Sequence, residues 1–220
     1  MFGEPKLPSM KNRLLLLLLI LLPLISFAQN EDLQLWGSVK FSKKVNSKIR
    51  FEFQEQIRWE DSLSLYKKNF TEFGFKYKIK KSHTLGTNVR YVSEFEKDKY
   101  IRMNVDLNSE YSPNRFPLTF KQRIRWQQSW DSTGLRDKTQ FRSKWTLALK
   151  NKLIVPYLSH ELFWKIATEK IMSKKRSTLG VSWSMMDRMK MKLFLRSQDQ
   201  LNNDNPESIK VIGFGVYYKV

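Results

Sequence analysis

The sequence predicts an all-β chain: an antiparallel, up-and-down transmembrane β-barrel of about 10–12 strands, preceded by a cleaved signal peptide. Three observations carry this expectation. Apolar and polar residues alternate with period two almost to the last residue. Most candidate strands are close to the ~9–11 residues that a tilted strand needs to cross a bilayer. The connections between them alternate between tight turns and long loops, the pattern of outer-membrane barrels. A mean hydropathy of −0.52 excludes a bundle of apolar helices. It does not exclude a barrel, whose alternating strands average to a hydrophilic value.

The first element is an export signal. Lys6, Lys11 and Arg13 precede an apolar run from Leu14 to Ile25, and Ser26-Phe27-Ala28 supplies small residues for cleavage before Gln29. The run is too short for a spanning helix of ~20 residues. The expected division is a signal peptide over 1–28 and a barrel domain over 29–220, with a net charge of +17 once the signal's three basic residues and one acidic residue are removed.

Eleven candidate strands follow, the first at 33–44. In 48–59, Ile49, Phe51, Phe53, Ile57 and Trp59 share one face, and Arg50, Glu52, Gln54, Gln56 and Arg58 the other. In 70–80, Phe73, Phe75, Tyr77 and Ile79 oppose Glu72, Lys76, Lys78 and Lys80; 84–93 comes next. In 100–111, Ile101, Met103, Val105 and Leu107 oppose Arg102, Asn104, Asp106 and Asn108. Leu118, Phe120, Ile124 and Trp126 oppose Lys121, Arg123 and Arg125 in 118–127, and Phe141, Trp145, Leu147 and Leu149 oppose Arg142, Lys144 and Thr146 in 140–150. The remaining candidates are 153–163, then 178–185 and 189–196 with apolar Leu179 to Met185 and Met189 to Leu195, and 209–219. Tight turns are expected at 45–47, 81–83, 151–152 and 186–188, and long loops at 60–69, 128–139, 164–177 and 197–208.

An odd strand count conflicts with the even number usual in single-chain bacterial barrels, so ten or twelve strands are expected, or an N-terminal segment rising through the lumen. The aromatic residues Trp59, Tyr91, Trp126, Trp145, Trp183 and Tyr218 are candidates for membrane-interface girdles. The charges expected to line the lumen are Arg50, Glu52, Arg58, Lys76, Arg90, Arg102, Arg123, Arg125, Arg142 and Glu161. The alternative is a soluble sandwich, in which the apolar face is the core and the charges merely its solvated side.

No Cys and only two His leave disulfides and metal centres without ligands, and no cofactor is expected. Ser159, His160 and Glu161 invite a hydrolase reading, but in a strand Ser159 and Glu161 share a face from which His160 is turned away. The Lys and Arg residues are spread over every strand without a single patch, which argues against nucleic acid. Basic loop residues such as Lys67, Lys68, Lys170, Lys174, Lys175 and Arg176 suit anionic lipopolysaccharide. A lumen rich in Lys and Arg favours anions if it conducts, and the scattered acids make a plugged, salt-bridged interior the competing outcome.

Leu35-Trp36, Gln56-Ile57-Arg58-Trp59, Arg90-Tyr91, Arg123-Ile124-Arg125-Trp126 and, above all, Pro156-Tyr157-Leu158-Ser159-His160-Glu161-Leu162-Phe163 together resemble the outer-membrane family called domain of unknown function 2490, from about Leu33 to Val220. The resemblance implies a barrel in the outer membrane of a Gram-negative bacterium and supplies no activity. The expected function is non-enzymatic: a narrow, anion-preferring pore or a structural envelope protein. Its partners would be outer-membrane lipid, lipopolysaccharide and, during insertion, the barrel-assembly machinery. The alternatives are a membrane-embedded lipid-modifying hydrolase and a soluble periplasmic β-protein that binds a lipophilic ligand.

Overall fold

A computed structural model describes residues 31–60, 65–96, 99–131, 134–150, 153–167 and 170–220. The predicted signal segment, 1–28, lies outside them. The described chain is a closed barrel of eleven strands: β1 (Glu31–Lys44), β2 (Ile49–Glu60), β3 (Leu65–Lys78), β4 (His83–Glu94), β5 (Tyr100–Tyr111), β6 (Leu118–Asp131), β7 (Gly134–Leu149), β8 (Ile154–Lys165), β9 (Ile171–Met186), β10 (Met189–Gln200) and β11 (Ser208–Lys219). Each strand pairs antiparallel with the next, from β1 with β2 to β10 with β11.

Eleven strands fall within the expected 10–12 and match the number of candidates in the sequence; only the preference for an even count is overturned. Ten antiparallel steps leave β1 and β11 running in the same direction, so the barrel closes through a parallel seam. Along it Ser38 Oγ donates to the Phe214 carbonyl at 3.5 Å, the Val220 N–H donates to the Ser42 carbonyl at 2.9 Å, and the Phe41 and Tyr218 rings meet edge-on at 6.3 Å. β1 is part of the wall, with Leu35 opposite Trp59 and Lys44 opposite Arg50. Closure removes the sheet edges that an open strand would expose.

The loops differ from expectation in length. Only 61–64, 132–133, 166–170 and 201–207 separate the strands where stretches of ten residues or more were expected, so the two ends of the barrel do not differ in this way. The cause is local. The register shift between Arg58 and Trp59 skips Lys67, and that between Phe163 and Trp164 skips Ser173. Each extra residue reverses the alternation phase of its strand, which hides the extension of β3 and β9 from a period-two reading. Lys67, Lys68, Lys174, Lys175 and Arg176 consequently belong to strands, and of the six basic residues assigned to loops only Lys170 lies outside a strand.

Burial is inverted relative to a soluble sandwich. Phe73, Val89, Ile101, Leu147, Leu158 and Leu193, all outward-facing, are 45–56% exposed, whereas Glu52, Glu72, Asp106, Arg125, Arg142 and Glu161 are buried inside. A continuous outer wall of exposed aliphatic and aromatic side chains exceeds the few hundred Å² that soluble monomers tolerate. Among the described residues, six of the eight buried hydrophobic side chains form two small clusters on the inner wall, Trp36 with Phe194 and Val211, and Phe70 with Val92 and Tyr100.

Candidate functional site

Period two turns alternate residues of every strand toward the barrel axis, and their side chains surround a cavity of ≈670 Å³. Among the described residues, sixteen Lys and Arg but six Asp and Glu line it. Direct cross-strand pairing sets many of the contacts. Glu72 lies opposite Arg90, and Asp106 opposite Arg125. Arg90 Nε donates to Glu72 Oε2 at 2.8 Å, and Arg125 grips both Asp106 oxygens at 2.5 and 2.6 Å. Glu52 is held by Lys40 at 2.6 Å and Lys76 at 2.8 Å. Glu161, opposite both Lys144 and Arg176, receives Arg123 at 2.6 Å, Arg142 at 2.7 Å and Arg176 at 3.2 Å.

Guanidinium groups, both paired and unpaired, also rest on aromatic faces. Arg58 lies 3.6 Å from the centroid of a Trp36 ring and Arg196 4.8 Å from it. Arg90 covers Phe70 at 3.8 Å, Arg142 covers Phe163 at 4.3 Å, and Arg102 sits 5.2 Å from the Tyr100 ring. Such stacking stabilises each cation by about 0.5–2 kcal/mol without neutralising it. Among the described residues, Arg58, Arg102 and Arg196 have no carboxylate at ion-pairing distance, and Arg58 Nε is buried without a hydrogen-bond partner. The charged groups closest around Arg58 are themselves cations: Arg90, Arg176, Arg196 and Arg102, with Lys68 directly opposite it on β3.

Of the ten charges expected inside, nine line the cavity: Glu52, Arg58, Lys76, Arg90, Arg102, Arg123, Arg125, Arg142 and Glu161. Arg50 does not; it is exposed at the start of β2, between Lys44 and Lys76. Lys67, Lys68, Lys174 and Arg176, expected in loops, also line the cavity, and Lys175 pairs with Asp199 at 3.7 Å on the outer face. The interior aromatics were not anticipated. Trp36, Phe70, Tyr100 and Phe194 occupy the polar phase of their strands, and Phe163 shares the phase of Glu161, so the signal was an aromatic residue in register with charges.

The six candidate girdle aromatics all face outward. Trp59 and Tyr91 are near one end of the barrel, and Trp183 and Tyr218 near the other. Trp126 and Trp145 lie further in, opposite Val105 and His160. Ser159 and Glu161 are buried inside, while His160 is exposed on the outer wall, where its Nδ1 is 3.0 Å from Ser177 Oγ. An equivalent contact joins His83 Nδ1 to Ser109 Oγ at 3.0 Å, which marks both as ordinary cross-strand polar pairs. No cluster of three or more His, Asp or Glu able to hold a metal occurs among the described residues.

No curated protein matches the sequence. The family model described as Protein of unknown function (DUF2490) matches residues 33–208, from the third residue of β1 to the first residue of β11. Since that match takes in nearly the whole barrel wall, the chain belongs to this family of proteins of unknown function.

Proposed function

We propose that the protein sits in the outer membrane of a Gram-negative bacterium and admits small anions through its interior as a narrow, non-enzymatic pore. The observation that carries this reading is the excess of basic over acidic side chains around the cavity, with Arg58, Arg102 and Arg196 left without carboxylates. Uncompensated cations in a confined interior raise the local concentration of anions and repel cations. The exposed apolar wall supports the membrane placement, as does strand length. The shortest strands have 12 residues; at ~3.3 Å per residue and a tilt near 40° they rise about 30 Å, the thickness of a bilayer's hydrocarbon core.

Reversal potentials measured in a salt gradient across a planar bilayer test the pore. The expected result is selectivity for chloride over potassium that weakens as salt rises, because the Debye length falls from about 10 Å at 0.1 M to about 3 Å at 1 M. Cation preference would overturn the anion reading, and a silent bilayer would overturn conduction.

A further inference from the structure

The inner wall is not uniform around its circumference. Along β9, β11 and β1 the inward positions are small: Gly180, Ser182, Gly213, Gly215 and Ser38. A Cβ at Gly213 would fall 1.9 Å from the Phe194 ring, and one at Gly180 2.4 Å from Tyr157 Oη, so both rings lie flat against the wall in space that only glycine leaves. Beside the seam this opens a cavity of ≈430 Å³, within the ~300–1,000 Å³ of small-molecule pockets.

The chemistry of the cavity is two-sided. Its cations are Lys40, Lys190, Lys192 and Arg196, and no acidic residue lines it among the described residues. Lys40 is engaged by Glu52, but Lys192 has only ring faces, with Tyr157 at 4.6 Å and Phe194 at 5.4 Å. Arg196 commits Nε to Thr178 Oγ1 at 3.0 Å and lies 4.8 Å from the Trp36 ring. The apolar side includes Trp36, Phe194 and Tyr217, with Met191 and Val216 at its margin. An inorganic anion would neutralise Lys192 and Arg196 and leave the parts of Tyr217, Trp36 and Phe194 that reach the cavity against water, whereas a neutral aromatic molecule would leave the ammonium and guanidinium groups desolvated and unpaired. Only a ligand with both features satisfies the site.

We propose that this pocket binds an organic anion: a phosphate or carboxylate head between Lys190, Lys192 and Arg196, and a flat apolar body against Trp36 and Phe194. The proposal deepens the anion-admitting reading and rests on it for access, since the ligand enters through the interior.

The test is isothermal titration of the full chain in lipid nanodiscs with 1-naphthyl phosphate, with inorganic phosphate alongside. Saturable binding, about tenfold or more tighter than inorganic phosphate, is the expected result. Lys192→Gln should weaken it about tenfold, and Ser182→Leu, which fills the pocket without changing its charge, should do the same; Lys175→Gln on the outer wall should leave it unchanged. The readout needs no current: a barrel that binds but stays silent keeps the pocket and sinks the pore, and one that conducts without binding does the reverse. Equal affinity for the two phosphates, or binding indifferent to both Lys192→Gln and Ser182→Leu, would overturn the proposal.

Discussion

Glu161→Gln is expected to lower folding stability by about 3–5 kcal/mol, the usual consequence of removing one partner from a buried ion cluster. Glu161 is 2% exposed and is the only carboxylate among the described residues at ion-pairing distance from Arg123, Arg142 or Arg176. The substitution is nearly isosteric, so no cavity contributes; the loss comes from three guanidinium groups left facing one another in a confined interior. Denaturant unfolding of the refolded barrel gives the stability change. The same variant should show stronger anion selectivity, because the interior gains one net positive charge, and added phosphate should recover part of the lost stability by standing in for the carboxylate. A stability change below about 1 kcal/mol would show that water already screens the cluster.

Phe73→Arg is expected to cost about 2–4 kcal/mol when the chain is unfolded from bilayers, the range found for Arg on the lipid face near the midplane of a membrane barrel. Phe73 lies well inside β3, is 56% exposed and has Phe53 and Val89 opposite it. On a water-facing surface the same change would alter stability by no more than about 0.5 kcal/mol, since an exposed site buries nothing. Val89→Arg and Leu193→Arg should follow Phe73→Arg, being outward and exposed to similar degrees. Tyr91→Arg, near a strand end, should cost less, because the penalty falls toward about 0–1 kcal/mol at the interfaces.

Much of the wall was legible because its two faces meet different environments. Ile101 to Asn108 alternates without interruption and Ile49 to Trp59 with only Glu55 out of phase, and the structure places them in β5 and β2. Legibility failed where that contrast disappears. Leu65 to Asn69 and Lys174 to Ser177 mix polar residues on both faces, and the skipped Lys67 and Ser173 reverse the phase beside them, so strand there reads as loop. The parallel seam left no trace either: pairing between Ser38 and the Phe214 carbonyl joins residues 176 apart, and nothing in either local pattern specifies the direction of the partner. Within the interior the charges could be placed by phase alone. Their partners could not, because Glu161 gathers Arg123 from two strands away as well as Arg142 and Arg176 from its neighbours.

On the proposed placement the apolar outer wall meets lipid while the charged inner wall meets water, and labelling of single cysteines in intact outer membranes distinguishes the two faces. The chain has no native Cys, so each label reports one position. Phe73→Cys, Leu107→Cys and Leu147→Cys face outward, and Asn108→Cys and Lys144→Cys face the cavity. The outward three are expected to react with a lipid-soluble maleimide and resist a water-soluble one, and the inward two to do the opposite. Reaction of the outward three with the water-soluble reagent, with the chain recovered in the soluble fraction, would contradict that placement.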